Sequence, residues 1–322
     1  MLDLYVKQGG RIGHLAEATE IPAEAVWIDM LRPTVEEEKR VEQATGIAVP
    51  THAEMQEIEA SSRLYHDEGN LFMTAIVLSK TDTDTPVARP VTFVLTPNHL
   101  VTIRYSEPRS FEIFATRCQK PGADEDAAGI LTALLDAVID RAADTLERLS
   151  AEMDELSTKV FLPRAARRET ETEYQDVLRE IGRMGELNAK IQESLLSIGR
   201  LTTYLAQAVM SGKASKDVRG RIKTLGRDVV SLTDHAHFLS DRVTFLLDAT
   251  LGMISNEQNT IIKIVSIATL VFLPPTVIAS VYGMNFHAMP ELAWSLGYPF
   301  ALSLMAVSAV LPYLIFRRIG WL

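Results

Sequence analysis

Asn259, Ile262, Val265, Thr269, Leu273, Thr276 and Ser280 recur at steps of three and four along one apolar run. They mix hydroxyls and one amide with aliphatic side chains, and none carries a charge. Such a helix face suits passage of an ion that keeps its water, with the apolar positions acting as constrictions that can dewet. An equal reading has the Ser and Thr hydroxyls bonding back into their own helix or across to a neighbour. Pro274 and Pro275 interrupt the same run and free carbonyls near Leu270 and Val271. Inside hydrocarbon those carbonyls need a partner in protein or a water-filled cavity. The run ends in "SVYGMNFHAMPELAW", Ser280 to Trp294, a short polar turn with a single acid, Glu291.

Two elements must position these residues. Ile264 to Tyr282 and Tyr298 to Phe316 are free of formal charge, and each offers about 19 residues, the length that crosses ~30 Å of hydrocarbon. A buried core helix is the competing reading, and two adjacent runs at the C-terminal end weaken it. Lys263 precedes the first run, Arg317 and Arg318 close the second, and the connecting segment has no Lys or Arg. This asymmetry places both chain ends in the cytoplasm, with Tyr282, Phe286, Trp294 and Tyr298 at the outer interface. A two-span hairpin is too small to enclose a water path, so transport requires a symmetric homo-oligomer within membrane lipid.

Upstream, three long amphipathic stripes are legible. The first runs from Leu131 to Val160 and stops at Pro163; the second runs from Leu178 to Val209, with Asn188 among its apolar members, and closes at Gly212. The third, Val218 through Leu225, Leu232, Leu239 and Leu246 to Met253, alternates steps of four and three, the spacing of coiled-coil packing. No proline separates it from the first span, so one helix on the order of 65 residues, roughly 100 Å, is expected to enter the membrane.

The first third reads differently. "AVWIDM" from Ala25 is a buried strand, Thr34 with Glu37 and Thr51 with Glu54 have capping-box spacing, and Leu71–Ser79, Pro90–Thr96 and His99–Tyr105 read as strands. The segment before Ala25 reads as alternating strand with Gly9, Gly10 and Gly13 in turns, and no cleavable signal is expected. The expected organisation is a cytoplasmic α/β domain over 1–122, a helical region over 123–262 and a two-helix transmembrane domain over 263–322.

Composition removes other classes. The formal net charge of −10 argues against nucleic acid. One cysteine, Cys118, excludes a disulfide framework and a Cys-based zinc site. There is no phosphate loop of the GxxxxGKS type for ATP, and no Ser, His and Asp spacing that names an enzyme.

"YGMNF", "MPEL", "GYP", the upstream "NEQNTIIKI" and "FLPPT", and a basic end with a penultimate Trp together resemble the CorA family of magnesium transporters. The order of α/β domain, long helices and hairpin follows that family across essentially the whole chain. The resemblance implies a homopentameric inner-membrane channel with a cytoplasmic α/β/α funnel domain. It carries magnesium, with cobalt and nickel as further cargo. Gly283, Met284 and Asn285 become the ion-selecting loop, Gly283 letting the backbone turn and Asn285 meeting the hydrated ion. Mg²⁺ demands octahedral oxygen ligands and loses water reluctantly, which agrees with a ring of amide and carbonyl oxygens. Asn259, Leu273 and Thr276 match pore-facing positions, Leu273 the hydrophobic constriction. Lys263, Arg317 and Arg318 match the basic collar, and Asp248 a regulatory Mg²⁺ site.

Three other readings stand beside this one. Asp136, Asp140, Asp144 and Glu147 form an acidic ridge that a cation would relieve, although such a run is more often a solvated helix face. A zinc-carrying member of the superfamily would want His ligands; His235 and His237 point to different helix faces, leaving His287. A coiled-coil membrane anchor without transport would share the spans but has no reason to keep the hydroxylated stripe.

Overall fold

The computed structural model describes the chain apart from residues 8–10, 17–19, 84, 121–125, 162–170, 212–214, 285–288, 291–293 and 320–322. Asn285, His287, Glu291, Pro163 and Gly212 lie outside the described residues. The described chain divides into two compact units, Met1–Leu247 and Asp248–Leu322.

The first unit opens with a hairpin of β1 (Leu2–Lys7) and β2 (Ile12–Ala16), followed by β3 (Ala25–Leu31). Gly13, expected in a turn, instead pairs with Val6 inside the ladder. Helices α1 (Val35–Thr45) and α2 (His52–Met55) follow, each opened by the expected capping box. Thr34 Oγ1 accepts from the Glu37 N–H while the Glu37 carboxylate accepts from the Thr34 N–H at 2.8 Å. A one-turn helix α3 (Ala60–Arg63) and strand β4 (Leu64–Asp67), neither foreseen, precede β5 (Asn70–Ser79), β6 (Val87–Leu95) and β7 (Leu100–Arg104).

The sheet order is β2-β1-β3-β7-β6-β5-β4, and among these neighbours only β3 and β7 run parallel. Alternation sorts its two faces. Leu4, Ile28, Met30, Val101 and Ile103 pack with Val41, Ile47 and Met55 on the side of α1 and α2. Trp27, Met73, Phe93 and Leu100 face the opposite way, toward α4 (Arg109–Cys118), α5 (Ala127–Phe161) and α6 (Glu171–Ser211).

A polar network spans the parallel joint. Arg104 donates from Nε to both carboxylate oxygens of Asp29 at 3.1 Å and from Nη2 at 2.8 Å. Thr102 Oγ1 donates to Asp29 at 2.6 Å and accepts from Trp27 Nε1 at 3.0 Å. The guanidinium also donates to the Ser106 carbonyl and lies 5.0 Å from the Phe111 ring centroid. Every charge taken from water here meets a partner, the condition under which a buried ion pair is tolerated.

Beyond Met73, β5 has no strand partner on its β4 side among the described residues. Ile76 stands opposite Pro90 in the register with β6, and its N–H and C=O, which point to one side of the strand, are directed away from β6. The free groups of Ile76 turn to α6: its N–H donates to Ser197 Oγ at 2.8 Å, and its carbonyl accepts from Ser194 Oγ at 2.7 Å. Helix α6 thereby covers a sheet edge that would otherwise recruit another strand.

The third stripe belongs to α7, one helix of 67 residues from Lys216 to Tyr282. Along its first half Val218, Ile222, Leu225, Val229, Ala236, Leu239 and Leu246 are buried. A Cβ on Gly199 would meet Val229 at 3.3 Å, and one on Gly185 would meet Val243 at 3.3 Å. The partners rise by fourteen as the glycines fall by fourteen, so α6 and α7 run antiparallel with two heptads between close contacts. Asn188, in an otherwise apolar stripe, donates to the Ala236 carbonyl at 2.9 Å, and Gln192 donates to the same oxygen at 3.0 Å.

Asp29→Ala strands the Arg104 guanidinium in the core and is expected to lower unfolding stability by roughly 3–5 kcal/mol. Pairing Asp29→Leu with Arg104→Met should recover most of that loss. Denaturant unfolding of the purified protein, followed by tryptophan fluorescence, checks both.

Candidate functional site

The second unit contains the lower part of α7 and one further helix, α8 (Gly297–Ile319). Both are long and apolar enough to cross a membrane, and only 6% of each apolar window is buried within the chain. Beyond Thr250, Ile267 is the one buried residue of α7 among those described, and Gly297 and Ala301 are those of α8. Aliphatic side chains left this bare are at home in hydrocarbon or against further copies, not in water.

Helix α7 continues through Pro274 and Pro275 to Tyr282 without a break. The stripe is entirely exposed: Asn259, Ile262, Val265, Thr269, Leu273, Thr276 and Ser280 all lie on uncovered surface, Leu273 at 57%. Of the two readings of its hydroxyls, back-bonding holds for the threonines. Thr269 Oγ1 donates to the Val265 carbonyl at 2.9 Å and Thr276 Oγ1 to the Phe272 carbonyl at 2.8 Å. This does not silence the stripe. A hydroxyl whose proton is spent within its own helix presents only lone pairs outward, and the water shell of a cation offers hydrogens to such acceptors.

Gly283 follows the last turn, its N–H donating to the Ala279 carbonyl at 2.9 Å and that of Met284 to the Val281 carbonyl at 3.3 Å. Its backbone is not left-handed, so the turning freedom expected of it is not what the position uses. The requirement is space: a Cβ there would sit 3.1 Å from the Ala279 carbonyl oxygen. Met284 is exposed, and Asn285 lies outside the described residues. On the return, Trp294 and Phe300 meet with ring centroids 5.7 Å apart.

Lys263, Arg317 and Arg318 are exposed, the arginines in the last turn of α8, where cations complement the helix dipole. Asp248 is exposed, whereas Leu246 two positions earlier is buried. Among the described residues no group of three or more His, Cys, Asp or Glu is placed to hold a metal. A cation site that included Asp248 would therefore draw its other ligands from elsewhere.

On α5 the acidic ridge faces outward, with Asp140, Asp144 and Glu147 exposed. Desolvation first, then repulsion from Asp136, with further contributions from Asp144 and Asp228, holds the Asp140 carboxyl above its ordinary range, against the pull of Arg117. Pro312 within α8 went unremarked in the sequence reading. As a mid-span proline it removes a donor and leaves the Ser308 carbonyl without its helical partner, a signal visible in the sequence itself.

Residues 22–318 match the family described as CorA-like Mg2+ transporter protein. The chain is 32% identical over 325 positions to the magnesium transport protein CorA of Salmonella typhimurium, all of each chain being covered. The same identity and coverage hold for the protein of that name from Escherichia coli. The complete structure of the CorA magnesium transporter from Methanocaldococcus jannaschii superposes with a TM-score of 0.77 at 20% identity, covering 100% of this chain and 99% of that one.

Proposed function

The chain belongs to the CorA-like Mg2+ transporter family, and from that premise we propose that it carries magnesium across a membrane as a homo-oligomer. The observation that bears most of this reading is the uncharged, oxygen-bearing stripe from Asn259 to Ser280, wholly exposed on a helix of membrane-spanning length. Membership in a family of transporters assigns transport and not catalysis. Two spans enclose no channel, so the stripes of several copies, five by family resemblance, face one axis.

The finer division of labour follows from the chemistry of the cargo. Residues 1–122 and 123–262 form the cytoplasmic part, 263–322 the inner-membrane part, and both ends are cytoplasmic because the basic residues Lys263, Arg317 and Arg318 flank the spans on one side. Membrane potential drives entry by ~2.3 kcal/mol per charge per 100 mV, roughly twice that for a divalent ion, without ATP. At the outer mouth the amide of Asn285, with Gly283 and Met284, receives the ion in its water shell, and Co²⁺ and Ni²⁺ enter by the same contacts. Acceptor oxygens of Thr269 and Thr276 conduct that shell past Ile262, Val265 and Leu273. Leu273 is the gate, a bulky apolar ring beside the double proline that expels water when closed. Asp248 meets acids of a neighbouring copy; bound Mg²⁺ bridges them and favours the closed state by its differential affinity for that state.

Asn285→Ala is expected to abolish Mg²⁺ uptake into liposomes while the oligomer elutes unchanged; normal flux from assembled protein removes Asn285 from the entry site. Leu273→Ser should raise resting flux by wetting the constriction, and an unchanged or lower leak counts against the gate. Asp248→Ala should require more internal Mg²⁺ to shut off current. If it closes at the parental concentration, the sensor lies elsewhere.

A further inference from the structure

Helix α7 begins with a segregation of charge. Between Lys216 and Arg227 it carries Lys216, Arg219, Arg221, Lys223 and Arg227 against Asp217 alone, in a chain of formal net charge −10. Helical spacing sorts this segment into flanks. Val218, Ile222, Leu225 and Val229 are buried. Lys216, Lys223 and Arg227, separated by seven and four, stand on the side away from them and are exposed, with no ion-pair partner among the described residues.

Helix α5 carries the opposite sign. Asp136, Asp140, Asp144 and Glu147, at steps of four, four and three, occupy its outward side, and none has an ion-pair partner among the described residues. The two features lie at one level of the unit. Asp228 of α7 repels Asp140, and Thr132 and Asp136 of α5 line one cavity of about 500 Å³ with Lys216, Asp217, Arg221 and Thr224 of α7. Lys216, Asp217 and Arg221 line that cavity and Asp228 is turned toward Asp140, whereas Lys223 and Arg227 do not line it. The chain thus offers a cationic and an anionic strip side by side in height, and it does not pair them internally.

A ring of identical copies joins each copy to the next through two different patches. Strips of opposite sign at one level meet that requirement, and strips of like sign would repel. We propose that the basic strip of Lys223 and Arg227 of one copy docks on the acidic ridge Asp140, Asp144 and Glu147 of the next. The inference rests on the homo-oligomeric reading above and assigns part of its interface. Docking relieves the self-repulsion of the ridge, steers neighbouring copies into register and weakens with salt.

The test co-expresses two differently tagged full-length chains, one with Asp144→Cys and one with Lys223→Cys, and applies a short thiol cross-linker in lipid nanodiscs. Native Cys118 is buried, and burial pushes its thiol up to about 11, so it stays a silent background. A cross-linked pair carrying both tags, formed only when both substitutions are present, is expected. In parallel, Lys223→Glu with Arg227→Glu should shift the low-salt elution to smaller species, and adding Asp140→Lys with Asp144→Lys to the same chain should restore it. Helix content by circular dichroism confirms that each variant folds. If the parent elutes as a larger assembly but the mixed pair is missing, or if the reversal leaves its size unchanged, the interface is wrong and the oligomer stands. If the parent itself elutes as a single copy, the oligomeric reading fails and the interface fails with it.

Discussion

The first unit depends on one parallel strand pair. β3 beside β7 joins the antiparallel trio β2-β1-β3 to the antiparallel quartet β7-β6-β5-β4. Across that joint lie Asp29, Thr102, Arg104 and Trp27, bonded in sequence and buried. An ion pair in this place costs desolvation on both sides, and only complete pairing offsets it. The joint therefore has a definite register: sliding β7 by one residue would turn Thr102 and Arg104 to the other face and leave Asp29 unpaired.

Side chains bond to backbone groups at several places along the chain. Ser194 and Ser197 satisfy Ile76 on the edge of β5 beyond its pairing with β4. Asn188 and Gln192 bring a second donor layer to Ala236 within the contact of α6 and α7. In the second unit Thr269 and Thr276 spend their protons on their own helix. In the first unit such bonds seal a surface, whereas on an exposed apolar helix they leave an acceptor facing outward. The same chemistry therefore closes an edge in one place and leaves outward-facing acceptors in the other.

Much of this was legible in advance. The two apolar runs, the capping boxes at Thr34 and Thr51 and the heptad stripe from Val218 all depend on neighbours within a few positions. The short helix α3 and strand β4 were missed because four-residue elements carry too few positions for a period to show. Gly13 was misplaced because glycine marks both turns and ladder positions, and only the partner strand distinguishes them.

The sequence by itself determined which segments are helices of membrane length, where charge is withheld from them, and which side chains share a helix face. These follow from local periodicity and transfer free energy, which need no knowledge of distant residues. Tertiary structure alone decided that Asp29 meets Arg104 across 75 positions, that Gly199 and Gly185 admit Val229 and Val243, and that Gly283 answers to a nearby carbonyl and not to a left-handed turn. It also decided that Asp136 of α5 and Arg221 of α7 line one cavity, and so that two charged strips share one level. Pairings of this kind depend on how elements pack, and packing is set by the whole chain at once, so no window of sequence contains them.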